Sequence, residues 1–596
     1  MARRYLGSMA DPVHVLQRRL EDAIVAALGP EVRGTDPLLR RAGQVRFGDY
    51  QANAPLSLAK RLGRPGPEVA AAIVKTLDVE DICSKVDVGG GGFINMTLDD
   101  RFIADQVGLA LSGLGIEPAS PLHRFVLDYA GPNVAKEMHV GHLRSAVIGD
   151  ALARMLEFLD HVVIRQDHLG DWGRQFGMLV EHLVDLGWSA ASPQDTGRSV
   201  ADLNELYRAA QEKFDSDSGF AERARRRVVL LQSGDGESTE LWHQLVEESE
   251  RHFLAVYRRL GLTLGPEDTR PESFYQPMLD PMVAELEEKG LVRVDDGALC
   301  AFPPGFTGRD GGPLPLIVRN ALGGYGYAAT DLAGIRYSVQ ELGADRLVYV
   351  TDARQAQHFA MVFAVAAQAG WLDGATAEHA SFGAILGPDN RPFRTRAGDT
   401  VRLADLLDEA VLRAHAVVTE KNPALGPEEA RRVAEAVGIG SVKYNDLVND
   451  RVKDYVFDWE RMLARDGNTA PYLQYAHARI RSIFRRAEEE GLVSAYAGTG
   501  EGEATVTLTA PEERALALNL LSFDSAVSAA ASSLQPHRLC TYLFELASSF
   551  TSFYEACPVL REEPAVRSSR LVLCQLTAAV LARGLDLLGI EAPERM

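Results

Sequence analysis

Short apolar strands alternate with helical segments from residue 124 onward, and this alternation constrains the fold more than any other feature. The runs FVL at 125–127 and VVI at 162–164 have the length and the branched apolar side chains of buried strands. Between them, apolar residues recur at helical spacing: Leu143, Val147, Leu152, Met155, Leu156 and Leu159. The run LVYV at 347–350, followed by a helix from about Gln355, repeats the pattern. Such β-α-β units predict a parallel α/β sheet.

The regions on either side of this sheet have different patterns. The first 118 residues open with a helical stripe, contain GGGGFINM at 89–96 and end in a Gly/Pro/Ser-rich linker, which indicates a small separate domain. Residues of about 180–320 form a long, mostly helical insertion between the two halves of the sheet. After about residue 400 the sequence is almost wholly helical. A chain of 596 residues is also too long for one core, so several domains are expected.

Charge, cysteine spacing and hydropathy restrict the classes of function. A net charge of −21 argues against a nucleic-acid partner for the chain as a whole, although four arginines between Arg479 and Arg486 leave a local RNA contact open. The five cysteines form no C-x-x-C pair, so we predict neither a disulfide framework nor a metal site. No apolar run approaches a bilayer span, and no apolar stretch follows the two arginines near Met1. We therefore expect a cytoplasmic protein without a membrane partner.

The segment that carries the chemistry is 128–142, which reads DYAGPNVAKEMHVGH. It joins the first strand to the next helix, where sheets of this class bind ligands and where free helix N–H groups favour phosphate. His139 and His142 would add donors for a charged oxygen, and Gly141 lets the backbone approach a nucleotide closely. Chance gives roughly 0.03 H-x-G-H matches in a chain with 14 histidines and 53 glycines. The alternative is a surface histidine pair that caps a helix.

Together with its neighbours, this segment resembles a known family. HVGH at 139–142 is similar to the HIGH signature of class I aminoacyl-tRNA synthetases, which implies that it contacts ATP. The flanking DY, Lys136 and LRS at 143–145 look like arginyl-tRNA synthetases in particular. Further family-like stretches are GDWGRQFG at 170–177, YAATDLA at 327–333, GNTAPYLQY at 467–475 and APERM at 592–596. The resemblance covers essentially the whole chain.

This resemblance implies an arginine–tRNA ligase with a Rossmann-like α/β catalytic domain and a helical insertion, a small α+β N-terminal domain and an all-α C-terminal anticodon-binding domain. The expected domains are 1–118 for the N-terminal domain, 119–400 for the catalytic domain with its insertion at about 180–320, 401–455 for a connecting helical region and 456–596 for the anticodon-binding domain. The implied substrates are ATP with Mg²⁺, L-arginine and the tRNA for arginine. No permanently bound cofactor is expected, and the family's usual state is a monomer.

The second class I signature, KMSKS, is replaced here by GPDNRPFRTRAG at 387–398. Many arginyl enzymes lack the standard lysines, so the departure lies within the family. Arg394 and Arg396 can present cations to the pyrophosphate leaving group from this loop. Lys136 resembles the lysine thought to compensate in such members. The sequence does not decide which of these cations dominates.

The resemblance also assigns an arginine pocket. Its members would be Asp128, Tyr327, Asp331 and Gln355 for the side chain, with Asn133 at the polar end of the amino acid. Tyr327 and Asp331 are four residues apart, so one helical turn would place both on one face. A planar guanidinium with five donors requires matching acceptors, and lysine would leave some of these unpaired. For Asp331 alone, the alternative is a helix N-cap.

Contacts to tRNA are implied in both outer domains. The candidates in the C-terminal domain are Tyr472, Gln474, Tyr475 and Arg479, because aromatic rings stack on bases and arginine holds phosphate. Phe93 and Asn95 belong to the N-terminal domain, which resembles a domain that contacts the tRNA elbow. The alternative for the tyrosines is a place in the core.

Two other functions compete with this one. An adenylyltransferase or another class I synthetase could use the same H-x-G-H site, but a small adenylyltransferase lacks a helical C-terminal domain. A catalytically inactive RNA-binding paralogue would explain the altered 387–398 loop. The presence of His139, His142, Lys136 and Asp331 counts against it, so the sequence favours the enzyme.

Overall fold

The N-terminal unit is an antiparallel sheet covered by helices. The computed structural model describes residues 11–188, 203–309, 311–321, 323–394, 401–492 and 506–596. The first elements are α1 (Pro12–Leu28), β1 (Leu39–Arg41), β2 (Tyr50–Ala52), α2 (Ala54–Leu62), α3 (Gly66–Thr76), β3 (Cys83–Gly89), β4 (Phe93–Leu98) and α4 (Asp100–Ala110). The strand order is β1-β2-β4-β3, and α3 packs between this sheet and α1. The small α+β domain is thus confirmed.

The central sheet begins after the linker. Its first half contains β5 (Arg124–Asp128), α5 (Val140–Phe158), β6 (Val162–Gln166) and α6 (Arg174–Asp185). Its second half contains α11 (Tyr327–Gln340), β10 (Arg346–Tyr349), α12 (Ala356–Gln368) and β11 (Thr376–His379). The strands are parallel in the order β11-β10-β5-β6, and Val126, Leu127 and Val348 are buried between helical layers. This confirms the Rossmann-like α/β sheet.

The insertion between the two halves contains both helices and strands. Its elements are α7 (Leu203–Ser216), α8 (Ser218–Gln232), α9 (Gly236–Leu260), α10 (Gln276–Glu288), β7 (Val292–Asp295), β8 (Ala298–Ala301) and β9 (Leu316–Arg319). The three strands form an antiparallel sheet that the helical pattern did not predict. Asp296 and Gly297 join β7 to β8 with φ angles of 44° and 78°. Positive φ at both positions is the geometry that an Asp-Gly hairpin favours, so the dipeptide was the signal for these strands.

In the described ranges 401–492 and 506–596, and in the short stretch before them, the chain after the sheet is helical apart from one short pair of strands. Its elements are β12 (Ile385–Leu386), α13 (Leu403–Lys421), α14 (Pro427–Leu447), β13 (Tyr455–Val456), α15 (Trp459–Met462), α16 (Ala470–Glu489), α17 (Pro511–Leu520), α18 (Phe523–Ser532), α19 (His537–Ala556) and α20 (Pro564–Leu587). Strands β12 and β13 pair in parallel. Two stretches, Pro511–Ser532 and Pro564–Leu587, are long and apolar enough to cross a membrane, but most of each is buried against neighbouring helices. The all-α C-terminal domain is confirmed.

The N-terminal and C-terminal domains contact each other directly. Arg514 at the start of α17 donates to both carboxylate oxygens of Asp49 at 2.7 and 2.8 Å, and to Asp100 at 2.6 Å. Arg41 donates to Asn519 at 2.6 Å. Both outer domains therefore pack around the sheet and against each other.

Candidate active site

A cleft of about 640 Å³ opens at the carboxyl ends of β5 and β10. Strands of a parallel sheet end together there, next to the N-termini of the helices that follow them. The cleft is lined by eight of the residues predicted from the sequence: Asp128, Asn133, His139, Gly141, His142, Tyr327, Asp331 and Gln355. The structure thus brings the nucleotide segment and the proposed arginine pocket into one cavity.

The two histidines lie next to each other at the start of α5, with their ring planes tilted by 39°. His139 is the N-cap, and its Nδ1 accepts the Gly141 N–H at 3.0 Å. The His139 N–H in turn donates to Nδ1 of His142 at 3.1 Å, and the ring centroids lie 4.0 Å apart. A Cβ on Gly141 would approach the His139 ring to 2.7 Å, so only glycine fits between them. His139 and His142 therefore cap the helix, as the alternative proposed, and the same two side chains also line the cleft.

Burial and neighbouring charge keep both imidazoles neutral. Burial lowers the pKa of His142 to about 3, with a further contribution from His139 and Lys136. The pKa of His139 is lowered by burial first and then by the charge of Lys136. Because each Nδ1 accepts a backbone N–H, the proton of each neutral ring sits on Nε2. The pair therefore offers two Nε2–H donors to a ligand in the cleft.

The loop before the histidines has an unusual backbone that fixes Lys136. Ala135 is fully buried with a φ of 63°, a left-handed conformation that is strained for alanine. Its N–H donates to the Ser249 hydroxyl of α9 at 3.0 Å. Lys136 follows beside the cleft rather than in its lining, with its Nζ 4.5 Å from the centroid of the Tyr207 ring. The insertion thus contacts the backbone just before this lysine through Ser249 and the end of its side chain through Tyr207.

The segment that follows the KMSKS-like loop pairs with the histidine segment. The Val140 N–H donates to the Val401 carbonyl at 3.0 Å, and the Leu403 N–H donates to the Met138 carbonyl at 2.9 Å. Arg402 also pairs with Glu137 at 3.0 Å. The histidine segment is therefore joined through its backbone to residues 401–403, which follow the KMSKS-like loop, a contact that the sequence alone does not indicate.

Only part of the KMSKS-like loop lies within the described residues. It leaves β12 through a turn in which the Gly387 N–H donates to the Arg391 carbonyl at 2.7 Å. Phe393 stacks on Phe457 with centroids 4.9 Å apart, and Arg394 is exposed. Arg396 lies outside the described residues. The phosphate contacts of both arginines remain predictions.

The far end of the cleft contains three carboxyl groups, of which Glu272 is buried and Asp128 and Asp331 are half-buried. Asp128 ends β5, Asp331 lies on α11 and Glu272 belongs to the insertion. Burial raises the pKa of Asp128 well above its usual value, and the charges of Asp331 and Asp167 add to the shift. Burial, followed by the charges of Asp171 and Asp331, raises the pKa of Glu272 to about 8. Within the described chain, no lysine or arginine lies within 4 Å of these three carboxyls. The geometry favours a cationic ligand.

Asp331 is held by a histidine rather than by a helix end. Helix α11 begins at Tyr327 after the cap residue Gly326, so the N-cap alternative for Asp331 is wrong. Instead, Oδ2 of Asp331 accepts a hydrogen bond from Nε2 of His358 at 2.5 Å. Tyr327 lies one turn earlier and is 69% exposed at the rim of the cleft. Its large free surface suits contact with a ligand.

The sequence did not single out three residues of this site: Glu272, His168 and His358. His168 stacks on Tyr275 with centroids 5.5 Å apart, and its Nδ1 is 3.9 Å from Asp128. Glu272 comes from the insertion, whose sequence carries no local motif at that point. His358 lies three residues after Gln355, so helical spacing was the only available signal for it.

The proposed tRNA contacts are divided between core and surface. Gln474 is fully buried, and its Nε2 donates to the carbonyls of Ala436 and Glu591 at 3.0 and 2.8 Å. Asn95 is 8% exposed, and its Oδ1 accepts from Gln51 at 2.7 Å. Both side chains face inward and bond within the protein, which the motif stretches did not indicate, and their contacts with RNA stay predictions.

The remaining candidates keep accessible surface. Tyr475 is 40% exposed, and the Arg479 guanidinium lies 5.9 Å from its ring and 4.6 Å from the ring of Tyr554. Tyr472 and Phe93 are half-buried. These side chains can still contact RNA, and Tyr554 joins them as a neighbour that the sequence did not indicate.

Comparison with known proteins identifies relatives along the whole chain. Three family models match: "Arginyl tRNA synthetase N terminal domain" at residues 14–98, "tRNA synthetases class I (R), catalytic domain" at 112–459 and "DALR anticodon binding domain" at 473–596. An arginine–tRNA ligase of Thermobifida fusca is 54% identical over 99% of this chain and 100% of its own length. Another from Frankia casuarinae is 50% identical over 98% of this chain and 100% of its own.

Solved structures resemble the whole chain as well. The arginyl-tRNA synthetase of Plasmodium falciparum superposes with a TM-score of 0.83 and 27% identity, covering 99% of this chain and 100% of that one. The enzyme of Thermus thermophilus gives 0.79 and 27%, with coverage of 98% and 100%.

Proposed function

The chain belongs to the arginyl-tRNA synthetase family, and from this premise we propose how its own residues divide the work of the reaction. It is an arginine–tRNA ligase, which activates arginine with ATP and joins it to tRNA. The observation that carries the assignment of residues is the cleft itself. It combines neutral imidazole donors at a helix N-terminus with three carboxyls, none of which forms an ion pair with a described lysine or arginine; Arg354 of the lining pairs with Asp352 instead. No feature of the site favours the inactive paralogue.

Activation requires the arginine carboxylate to attack the α-phosphate of ATP while pyrophosphate leaves. We assign His139 and His142 to the phosphate oxygens, where negative charge builds up in the transition state. Their Nε2–H donors are already oriented by the backbone hydrogen bonds at Nδ1, so little reorganisation is needed. The free N–H groups of α5 add to this stabilisation.

The leaving group needs cations close to the histidine pair. We assign this role to Lys136, together with Arg394 and Arg396 of the 387–398 loop. The proposal is supported by the charge of Lys136, which is close enough to lower the pKa of both histidines. It is also supported by the backbone pairing of residues 401–403, which follow the loop, with residues 138–140.

Arginine specificity follows from the acidic end of the cleft. The guanidinium would lie among Asp128, Asp331 and Glu272, with Tyr327 and Gln355 at the rim and Asn133 at the polar end of the amino acid. A guanidinium offers five donors in a plane, whereas the ammonium of lysine would leave buried acceptors unpaired. Such a mismatch can discriminate by about 10⁴. The proposed site therefore needs no separate editing domain.

Transfer brings the tRNA 3′ end to the same cleft. By class I resemblance, the 2′ hydroxyl of the terminal ribose attacks the arginyl-adenylate. We place the anticodon contacts on Tyr472, Tyr475 and Arg479 of α16, and keep Phe93 as the contact in the N-terminal domain. ATP enters with Mg²⁺ as part of the substrate, and no resident cofactor is needed. We propose that the enzyme acts as a monomer in the cytoplasm.

Exchange of radioactive pyrophosphate into ATP tests this assignment. The assay is run with each standard amino acid, with and without total tRNA. We expect exchange with arginine only, and only when tRNA is present, as the family implies. Exchange with a different amino acid would overturn the arginine pocket. A folded protein that binds tRNA but exchanges with no amino acid would be the inactive paralogue.

A further inference from the structure

We propose that Tyr207 is a positioning residue that holds the ammonium of Lys136 next to the phosphate site. The inference rests on the proposed role of Lys136 in activation. It gives the insertion a specific task, because Tyr207 lies on α7, far from either signature motif in the sequence.

The contact is a cation over an aromatic face. Nζ of Lys136 lies 4.5 Å from the centroid of the Tyr207 ring, within the range in which the ring attracts a cation. Both side chains are half-buried, so the attraction is less screened than at an open surface. No carboxylate of the described chain forms an ion pair with Lys136. The ammonium therefore keeps its full charge for a ligand.

The backbone and the side chain of this lysine are both fixed by the insertion. Ser249 of α9 binds the N–H of Ala135, whose left-handed conformation sets the direction of the chain at Lys136. Tyr207 of α7 then fixes the far end of the flexible side chain. Helix α7 is itself anchored against α6 and α8, with Leu206 and Ala210 buried next to the tyrosine.

The position of the ammonium suits action on phosphate. Lys136 precedes His139 by three residues and lies beside the cleft, and its charge contributes to lowering the pKa of His139 and His142. A lysine side chain has four flexible bonds, and without the ring it would have to be ordered at each turnover. Tyr207 lowers this entropic cost before the substrate arrives.

Substitution of the tyrosine with a matched control on the same helix tests the proposal. Tyr207→Met removes the ring but keeps an apolar side chain, Tyr207→Phe keeps the aromatic face, and Phe214→Met removes an aromatic residue of α7 away from the lysine. In arginine-dependent ATP–pyrophosphate exchange with tRNA, Tyr207→Met should lower kcat about fivefold, with the KM for arginine unchanged. Tyr207→Phe and Phe214→Met should stay close to wild type. Melting temperatures measured in parallel show any loss of packing.

A double-mutant cycle with Lys136→Ala separates this proposal from the one on which it rests. If Tyr207 acts through the lysine, Tyr207→Met should add no further loss to Lys136→Ala. An equal loss in both backgrounds, or an equal loss in Phe214→Met, would overturn the role of Tyr207. A Lys136→Ala enzyme with wild-type exchange would instead overturn the role of the lysine. A low rate in Lys136→Ala with a normal rate in Tyr207→Met would overturn only the proposal on Tyr207.

Discussion

The central sheet carries a cavity at each end, and the two differ in how their charges are satisfied. The cleft at the carboxyl ends of the strands has about 640 Å³. A second cavity of about 470 Å³ lies at the opposite ends, where the N-terminal domain, the sheet and α18 meet. Both are lined by histidines and carboxylates, so neither size nor composition distinguishes them.

Two histidines of the second cavity are paired with aspartates. His14 bonds to Asp524 at 2.5 Å, and His123 bonds to Asp345 at 3.0 Å. The neighbouring Asp11 accepts from the backbone and the hydroxyl of Ser525. The contacts of His14 and Asp11 join the N-terminal domain to α18, and the pair of His123 and Asp345 lies within the catalytic domain. We call this region the domain junction.

In the cleft, by contrast, Asp331 bonds to His358 at 2.5 Å, but Asp128 and Glu272 have no side-chain partner within hydrogen-bonding distance in the described chain. Burial of an unpaired carboxyl disfavours its ionised form, which is a cost that the folded protein bears until a cation binds. The two regions therefore differ in Asp128 and Glu272, which a ligand can still pair, whereas the histidine–aspartate pairs of the second cavity connect parts of the protein to each other.

Among the variants that test this difference between the two cavities, the largest loss of activity is expected for Asp331→Ala. Loss of one buried partner of the guanidinium should lower kcat/KM for arginine about 10³-fold, because the bound cation is left incompletely paired. Circular dichroism should show an intact fold. Asp524→Ala at the domain junction is the matched control and should leave the KM for arginine unchanged. Near-normal exchange in Asp331→Ala would show that this carboxylate does not bind the guanidinium of arginine.

A smaller effect is expected for His142→Ala. Loss of one preorganised donor should lower kcat of pyrophosphate exchange about 10²-fold while the KM for ATP changes little, since the donor acts on charge in the transition state. Steady-state kinetics with varied ATP measures both constants. A collapse of the apparent ATP affinity with unchanged kcat would make the histidine a binder of the ground state.

The pH dependence of arginine binding gives a third test. Glu272, with its pKa raised to about 8, is mostly protonated at neutral pH in the empty cleft, and a bound guanidinium favours its ionised form. Binding therefore releases a proton below pH 8, so the KM for arginine should fall as the pH rises toward that value, by up to about tenfold per unit. Glu272→Gln should flatten the profile. A KM that rises with pH would contradict this account of the acidic end.

The smallest effect is expected at the domain junction. The bond to Asp524 raises the pKa of His14, so the protonated form is favoured in the folded protein. The stability that it contributes is present below the ordinary histidine pKa of about 6.5 and is lost as the pH rises through the raised value. Asp524→Asn should lower the melting temperature by roughly 2 °C at pH 6 and by less at pH 9. Exchange activity should not change, and a loss of activity would assign the junction a role in catalysis.

The sequence was sufficient where the signal was local. Strands β5, β6 and β10 follow from short apolar runs, and the histidine segment follows from its place between a strand and a helix. Glu272 and Tyr207 could not be found this way, because both belong to the insertion. The packing of the insertion places Glu272 in the cleft and Tyr207 against Lys136. Gln474 is an example of the opposite case. The motif that contains it is recognisable from the sequence, but the motif does not indicate whether this side chain points into the protein.

Calorimetric titration with arginine and with citrulline tests whether the carboxyl groups of the cleft recognise the charge of the guanidinium. Citrulline has the shape of arginine but carries a neutral urea group. We expect the enzyme to bind arginine at least about 10²-fold more tightly than citrulline, since the carboxyls of the cleft gain a charged partner only from arginine. Asp331→Asn should reduce that difference. Equal affinity for the two ligands would show that the cleft recognises shape alone, and would contradict the role assigned to its three carboxyl groups.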